Sequence, residues 1–267
     1  MSSGIYFLKR GQPMIETTDI ITTLEELQLN NWQPLQTMVY DGWILRFADG
    51  YSKRANSIQP LYPSTSDLDK KIAECEQMYA SKQLRTAFKM TPSVFPRNLD
   101  KVLDQKGYVI EDRASVQILD LTDIKNPSFP NITIDETLLD SFDDYCKLSG
   151  IPDSQKATVK RMFSNIRTKK ALLSLTINNT AVAYGLGVID REYLGIWGIV
   201  TDRKHRKQGL GEQLLLNLLQ WGKKNGAKSS FLVVVANNQP ALNLYSKIGF
   251  KEKYQQWYRV KEQQTYK

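Results

Sequence analysis

The sequence predicts a mixed α/β fold: a central, mostly antiparallel sheet flanked by helices. Three observations lead to it. Short apolar runs of strand length alternate with amphipathic helical stretches in the second half. Three β-type runs separated by tight polar breaks precede the first long helix of that half. The first half then shows a weaker version of the same succession of segments.

The first thirteen residues read as a loose extension, with Met14 as an alternative start. Next, "GWILRF" predicts a strand and "YSKRANSIQPLY" another, followed by a helix over residues 66–79 and the strand "LRTAFKM". A short helix in "NLDKVLDQKGY" and the strands "YVIEDR" and "ASVQILDL" complete this half. The stretch "LTDIKNPSFPNIT" carries two prolines and little periodicity, so the units are placed at residues 1–125 and 126–267.

In the second unit, helical patterning covers residues 135–146 and 154–165. "ALLSLTI" is a strand ended by Asn178 and Asn179, a pair suited to a hairpin turn. "TAVAYGLGVID", a polar break at Arg191 and "YLGIWGIV" extend it into a three-stranded antiparallel meander. Leu214, Leu215, Leu218 and Leu219 share one face of the helix that follows, and Gly226 behind Lys223 and Lys224 stops it. "FLVVV" reads as a fully buried strand. A further helix takes Asn237 or Asn238 as its N-cap, holds Pro240 in its first turn and closes at Gly249. A final strand pair carries Tyr254, Trp257 and Tyr258.

Composition narrows the function. The chain has 267 residues, 41% of them hydrophobic, enough for a sizeable core. No apolar run approaches the roughly 20 residues that span a bilayer, and no export signal is read, so no membrane partner is expected. Cys75 and Cys146 lie far apart, and His205 is the sole histidine. A disulfide scaffold, a metal site and a Ser-His-Asp triad therefore lack support, and a cytoplasmic location is expected. The net charge of +8 favours an anionic partner: RNA, a phosphorylated cofactor or an acidic protein.

One stretch, "TDRKHRKQGLG", sets cations and two glycines just before the leucine-rich helix. Open backbone N–H groups and the positive end of the helix dipole make such a place suited to phosphate. Gly209 and Gly211 keep Cβ atoms out of a ligand's way, and Arg206 and its neighbours add charge. The plainer reading is a glycine-containing loop carrying a solvated basic run.

"RKQGLG" (206–211) and "NQPALNLYSKIGF" (238–250) resemble two elements of the GNAT superfamily of acyl-CoA-dependent N-acyltransferases, in the same order and separated by one strand. The resemblance covers about residues 132–260. It implies an acetyl-CoA co-substrate, no metal, and an amine acceptor. The strands before and after the leucine-rich helix would splay apart, with pantetheine along the main chain of Ile199, Val200 and Thr201. The pyrophosphate would rest on amides of Gln208, Gly209, Leu210, Gly211 and Glu212, with Arg206, Lys207, Arg203 and Lys204 near the phosphates. Tyr245 would protonate the CoA thiolate, its alternative role being packing on the sheet; Asn238 would be a cofactor contact, a helix cap, or both.

Many relatives carry a Glu on a splayed strand, and this chain has no carboxylate in "YLGIWGIV" or "FLVVV". Glu192 and Asp202 are the nearest acids; a water relay, Tyr193 or the other half are the alternatives, and no base is assigned. The first half reads as a degenerate GNAT-like lobe: "LDQKGY" mirrors "YSKIGF", while "PLYPSTSDLDKK" lacks the cation and both glycines of a phosphate loop. Together the halves resemble a bacterial subfamily of tandem lobes, the first on the acceptor side, where Arg46, Arg54 and Asn56 are candidate contacts. A non-catalytic acyl-CoA sensor is the alternative function. RNA binding is disfavoured, because no aromatic-and-basic recognition motif accompanies the charge.

Overall fold

Two successive strand–helix units build the chain. The computed structural model describes residues 17–129, 131–138 and 140–262; Met14 and the extension before it lie outside them. Helix α1 (Thr17–Asn31) leads into strands β1 (Gln36–Tyr40), β2 (Trp43–Phe47) and β3 (Ile58–Gln59). Helix α2 (Leu68–Ser81), strand β4 (Thr86–Met90), helix α3 (Leu99–Gln105) and strand β5 (Val109–Asp120) end the first unit. The second begins with β6 (Ile132–Asp135), α4 (Phe142–Ser149), α5 (Asp153–Asn165), β7 (Lys169–Ile177), β8 (Thr180–Asp190) and β9 (Tyr193–Thr201). It finishes with α6 (Leu210–Lys224), β10 (Ser229–Val235), α7 (Gln239–Ile248) and β11 (Lys251–Lys261).

These strands form one sheet in the order β1-β2-β3-β4-β11-β5-β10-β9-β8-β7-β6. In each unit an antiparallel trio (β1-β2-β3, β7-β8-β9) meets a parallel strand (β4, β10) across a helix. The closing strands are exchanged. β11 pairs with β4 of the first unit, β5 pairs with β10 of the second, and β5 and β11 pair with each other at the seam. Backbone N–H and C=O groups at that seam are therefore satisfied only when both units are present.

Packing follows the sheet's two faces. On one side of the second unit, α1, α4 and α5 enclose Trp32, Tyr145, Tyr184, Trp197 and Phe231. On the other lies α6, whose Leu214, Leu215, Leu218 and Leu219 are fully buried, as the leucine spacing requires. Burial of that order stabilises by about 1.5–3 kcal/mol per leucine. In the first unit, α2 and α3 cover a separate core around Trp43, Tyr79, Phe88 and Tyr108.

The predicted hairpin turn is present, with Asn178 and Asn179 both at positive φ (49° and 61°). Several boundaries differ from the sequence reading. The helix expected from residue 135 starts at Phe142, because Asp135 ends β6 and its carboxylate accepts from the N–H groups of Thr137, Leu138 and Ser141. "YSKRANSIQPLY" is mainly a loop with one 3-10 turn (Lys53–Ala55), only Ile58 and Gln59 being strand. The two strands expected over residues 108–121 are the single strand β5, whose polar break is a bulge with Asp112 at φ 49°. The expected final strand pair is likewise one long, bulged strand, β11. "FLVVV" is not buried throughout: Val235 is exposed.

Candidate active site

Strands β9 and β10 pair in parallel from Tyr193↔Ser229 to Ile196↔Leu232, and there the pairing stops. Beyond that point β9 stays with β8 (Val200↔Tyr184, Thr201↔Ala183) while β10 stays with β5 (Val233↔Val116, Val235↔Ala114). A V-shaped gap opens between them, and the edge of β9 from Trp197 to Thr201 has no strand partner on the β10 side.

The cause is local. In the β8–β9 register Leu186 faces Trp197 but Tyr184 faces Val200, so two residues of β9 oppose Gly185 alone. This bulge bends β9 away, with Gly198 in the left-handed region at φ 57°. A Cβ at Gly198 would fall 2.3 Å from the hydroxyl oxygen of Tyr145, so the position requires glycine twice over. A glycine inside an apolar strand was the available sequence signal for this bend. Tyr145 gave none, since α4 brings it in from more than fifty residues away.

After Thr201 the chain makes a 3-10 turn (Arg203–His205) capped by Asp202, whose carboxylate accepts from Lys204 N–H at 3.1 Å and lies 3.1 Å from His205 Nδ1. Arg206 folds back and its Nε donates to Thr201 O at 3.3 Å. Lys207 takes φ 61°, Gly209 takes φ 80°, and α6 begins. The first α-helical bond runs from Gln213 N–H to Gly209 O at 3.1 Å, so the N–H groups of Leu210, Gly211 and Glu212 precede the helical ladder. Gln208 and Gly209 are exposed, and a Cβ on Gly209 would meet nothing within 4 Å. The Glu212 carboxylate is engaged by Lys247 of α7 at 2.5 Å, which offsets its negative charge beside those amides.

Helix α7 starts at Asn238, whose side chain accepts from Ala241 N–H at 3.3 Å, a cap of about 1 kcal/mol. Tyr245 is 9% exposed and shares one apolar cluster with Ile199, Leu210 and Val234. Its ring meets Phe250 edge-on at 6.0 Å, and its hydroxyl has no hydrogen-bond partner among the described residues. Burial pushes its pKa up to about 12. The fold thus sets the β9 edge and the loop before α6 beside one gap, with Tyr245 in the apolar cluster that Ile199 packs against.

Comparison with known proteins accounts for this arrangement. The family described as "Probable histone acetyltransferase Rv0428c C-terminal" matches residues 17–259. The chain belongs to this family, within the GNAT superfamily of N-acetyltransferases. It is similar to the uncharacterized N-acetyltransferase YobR of Bacillus subtilis, 28% identical over 251 residues, covering 91% of this chain and 99% of that protein. Its fold is similar to that of a GCN5-related N-acetyltransferase from Kribbella flavida, with TM-score 0.71, 16% identity, and 92% and 97% of the two chains covered. A tandem GNAT protein from the clavulanic acid biosynthesis pathway has TM-score 0.58 and 14% identity, over 72% of this chain and 69% of that one. The architecture is that of two tandem GNAT-like lobes, and the protein is an acyltransferase of the GNAT type.

Only one of the two GNAT lobes keeps an open loop. In the first lobe the segment before α2 closes on an internal anion: the Asp41 carboxylate accepts from Ser64 Oγ (2.7 Å), Thr65 N–H (3.0 Å) and Ser66 N–H (2.8 Å). Buried Lys71 lies 3.3 Å from the same carboxylate. The Ser64 hydroxyl, then the Ser66 N–H, holds the Asp41 carboxyl well below the usual carboxylate range. Since the folded pKa lies below the unfolded value of about 4, this contribution is complete above that pH, declines as pH falls below it, and is gone only once pH has fallen through the folded value. Thermal unfolding of wild type and Asp41→Asn should therefore differ most at neutral pH and converge in acid; a gap that does not close would refute the assignment.

Both acids nearest the meander are occupied elsewhere. Glu192 pairs with Lys228 at 2.5 Å at the opposite end of β9 from the gap, beside Tyr193, and Asp202 caps its turn. Cys75 and Cys146 are free and buried, and burial raises both thiols, to about 12 and about 11. Neither is poised as a thiolate. A cavity of about 580 Å³ lies between residues 50–56 and the end of β11. Its cations are paired, Lys53 with Glu111 and Asp112, Arg85 with Glu111 and Glu262.

Proposed function

We propose that the protein transfers an acetyl group from acetyl-CoA to a primary amine by direct attack on the thioester. One observation carries the reading: β9 parts from β10 after Ile196, bends at Gly198, and runs into a loop that ends in the open N-terminus of α6. Pantetheine then pairs with the vacant main-chain edge of Ile199, Val200 and Thr201, as an added strand would. The pyrophosphate takes the amides from Gln208 to Glu212, favoured by the helix dipole and by Arg206 and Lys207. Asn238 caps α7 and lines the cofactor.

The chemistry follows from that placement. A neutral amine attacks the thioester carbonyl, whose developing oxyanion is met by a backbone N–H near Ile199. Tyr245 donates its phenolic proton to the departing thiolate; a pKa near 12 keeps that proton in place throughout the neutral range. No carboxylate sits on β9 or β10 to act as base, so the amine sheds its proton to water. The unit of residues 126–267 performs the transfer, and the unit of residues 1–125 shapes the acceptor side.

Isothermal titration with acetyl-CoA should give one site per chain, because Asp41 already fills the equivalent place in the first lobe. Release of free CoA with a panel of amines should follow. Two sites per chain, or none, would overturn the assignment.

A further inference from the structure

Arg54 is a cation without an anion. It sits, half-buried, in the 3-10 turn before β3, its guanidinium carbon 5.4 Å from the Trp32 ring centre and 5.1 Å from that of Trp197. Among the described residues it forms no ion pair, and its buried Nε has no acceptor. The other buried arginines differ. Arg46 donates to the carbonyls of Leu29, Trp32 and Arg54, and Arg259 pairs with Asp100 and Asp104.

The surroundings of Arg54 are also unsatisfied. Trp32 Nε1, Trp197 Nε1 and both amide atoms of Asn31 are buried without a partner, and these residues are 5%, 4% and 0% exposed. Orphaned polar atoms of this kind are costly in a folded protein and call for an explanation. Here they surround one tryptophan pair, with ring centres 5.7 Å apart, carrying one unpaired guanidinium.

The loop that presents Arg54 is fixed in place. Asn56 accepts from the N–H groups of Ala48 and Gly50 and donates to the carbonyls of Ala48 and Ser52, so all its polar capacity holds the loop. Arg46 Nη1 donates to Arg54 O at 3.0 Å, and Thr158 of α5 donates to Asp49 at 2.8 Å. Of the three first-lobe residues singled out in the sequence, Arg46 and Asn56 are thus used internally, and Arg54 alone is left to meet a ligand. It meets it beside Trp197, the residue immediately before the Gly198 bend.

We propose that Arg54 receives a carboxylate of the acceptor, which makes the acceptor an amine of the amino-acid class; this rests on the reading of the β9–β10 gap as the acetyl-CoA site. A guanidinium fork matches a carboxylate in two parallel hydrogen bonds. One cation laid against a pair of indoles neutralises one charge, whereas a phosphate dianion needs a second cation, and Arg46 has its donors committed to carbonyls. Only Gly198 separates Trp197 from Ile199, so the two lie at most roughly 7 Å apart along the chain, within the reach of a single amino acid.

The test uses the full chain saturated with coenzyme A, titrated in thermal shift with amino acids and with the amines left by removing their carboxylates. At least one acid should bind wild type about tenfold or more tightly than its matched amine, and Arg54→Met, whose side chain still stacks on indole, should erase that preference. Arg54→Lys, which keeps the charge and loses the fork, should retain part of it. Coenzyme A itself should bind all three proteins alike. If no acid outbinds its amine on wild type, or if Arg54→Met keeps the preference, the carboxylate site is refuted. Failure of wild type to bind coenzyme A would instead strike the acetyl-CoA reading, and the two failures are read from separate titrations.

Discussion

Replacing Tyr245 by Phe lowers kcat about 100-fold, the lower end of what general-acid catalysis contributes, and leaves KM for acetyl-CoA and the unfolding midpoint close to wild type. The split between catalysis and stability is the point of the measurement. The Tyr245 hydroxyl has no protein partner among the described residues, so its removal breaks no hydrogen bond, and the ring that packs on Phe250 is retained in Phe. A purely structural tyrosine would give the same small change in stability and no loss of rate. The pH profile adds a second check. With its pKa near 12, Tyr245 remains a proton donor throughout the range in which amines become neutral. The wild-type rate should therefore rise with pH through the acceptor amine's titration, without a falling limb near neutrality. A Tyr245→Phe enzyme with unchanged kcat would remove Tyr245 from the mechanism.

Gly209→Glu abolishes the stabilisation that acetyl-CoA confers. For wild type, ligand at one hundred times its Kd adds about 2.7 kcal/mol to the folded state. The substitution acts through charge and backbone together. A Cβ at Gly209 finds open space, so no neighbour is displaced, but φ 80° is a conformation that L residues adopt at a cost of about 1–2 kcal/mol. The added carboxylate then lies beside the N–H groups of Leu210, Gly211 and Glu212, in the place proposed for the pyrophosphate, and repels it. The unliganded variant should melt somewhat below wild type, and the informative number is the further shift on adding acetyl-CoA. Equal shifts in both proteins would displace the nucleotide from this loop.

The legible parts of the chain were those written in neighbouring residues. Asn178 and Asn179 specify their hairpin through two left-handed φ values within one turn. The leucines of α6 repeat at helical spacing, and Gly249 ends α7 at φ 112°. Less legible was α1, whose buried face mixes Ile21, Leu24 and Leu27 with Glu25, Gln28 and Asn31. Glu25 and Gln28 are tolerated inside because Glu25 pairs with Lys89 at 2.5 Å and bonds Tyr254, and Gln28 bonds both Tyr254 and Lys89. Their partners lie on β4 and β11, far away in sequence, so the helix's apolar stripe is broken in the sequence and completed in the fold. In the same way β1, with four exposed residues, lacks the buried alternation that announces a strand.

By itself the sequence determined the α/β class, the antiparallel meander, and the pairing of a glycine loop with a helix start, because each rests on periodicity or backbone freedom within a few residues. Tertiary structure alone decided that β5 and β11 change places, that Asp41 fills the first lobe's loop, and that Arg54 stays unpaired against a pair of indoles. Those outcomes depend on which distant groups find one another when two units share a sheet. A strand's register or a cation's partner is set by the surface packed against it, and that surface exists only after the chain has folded.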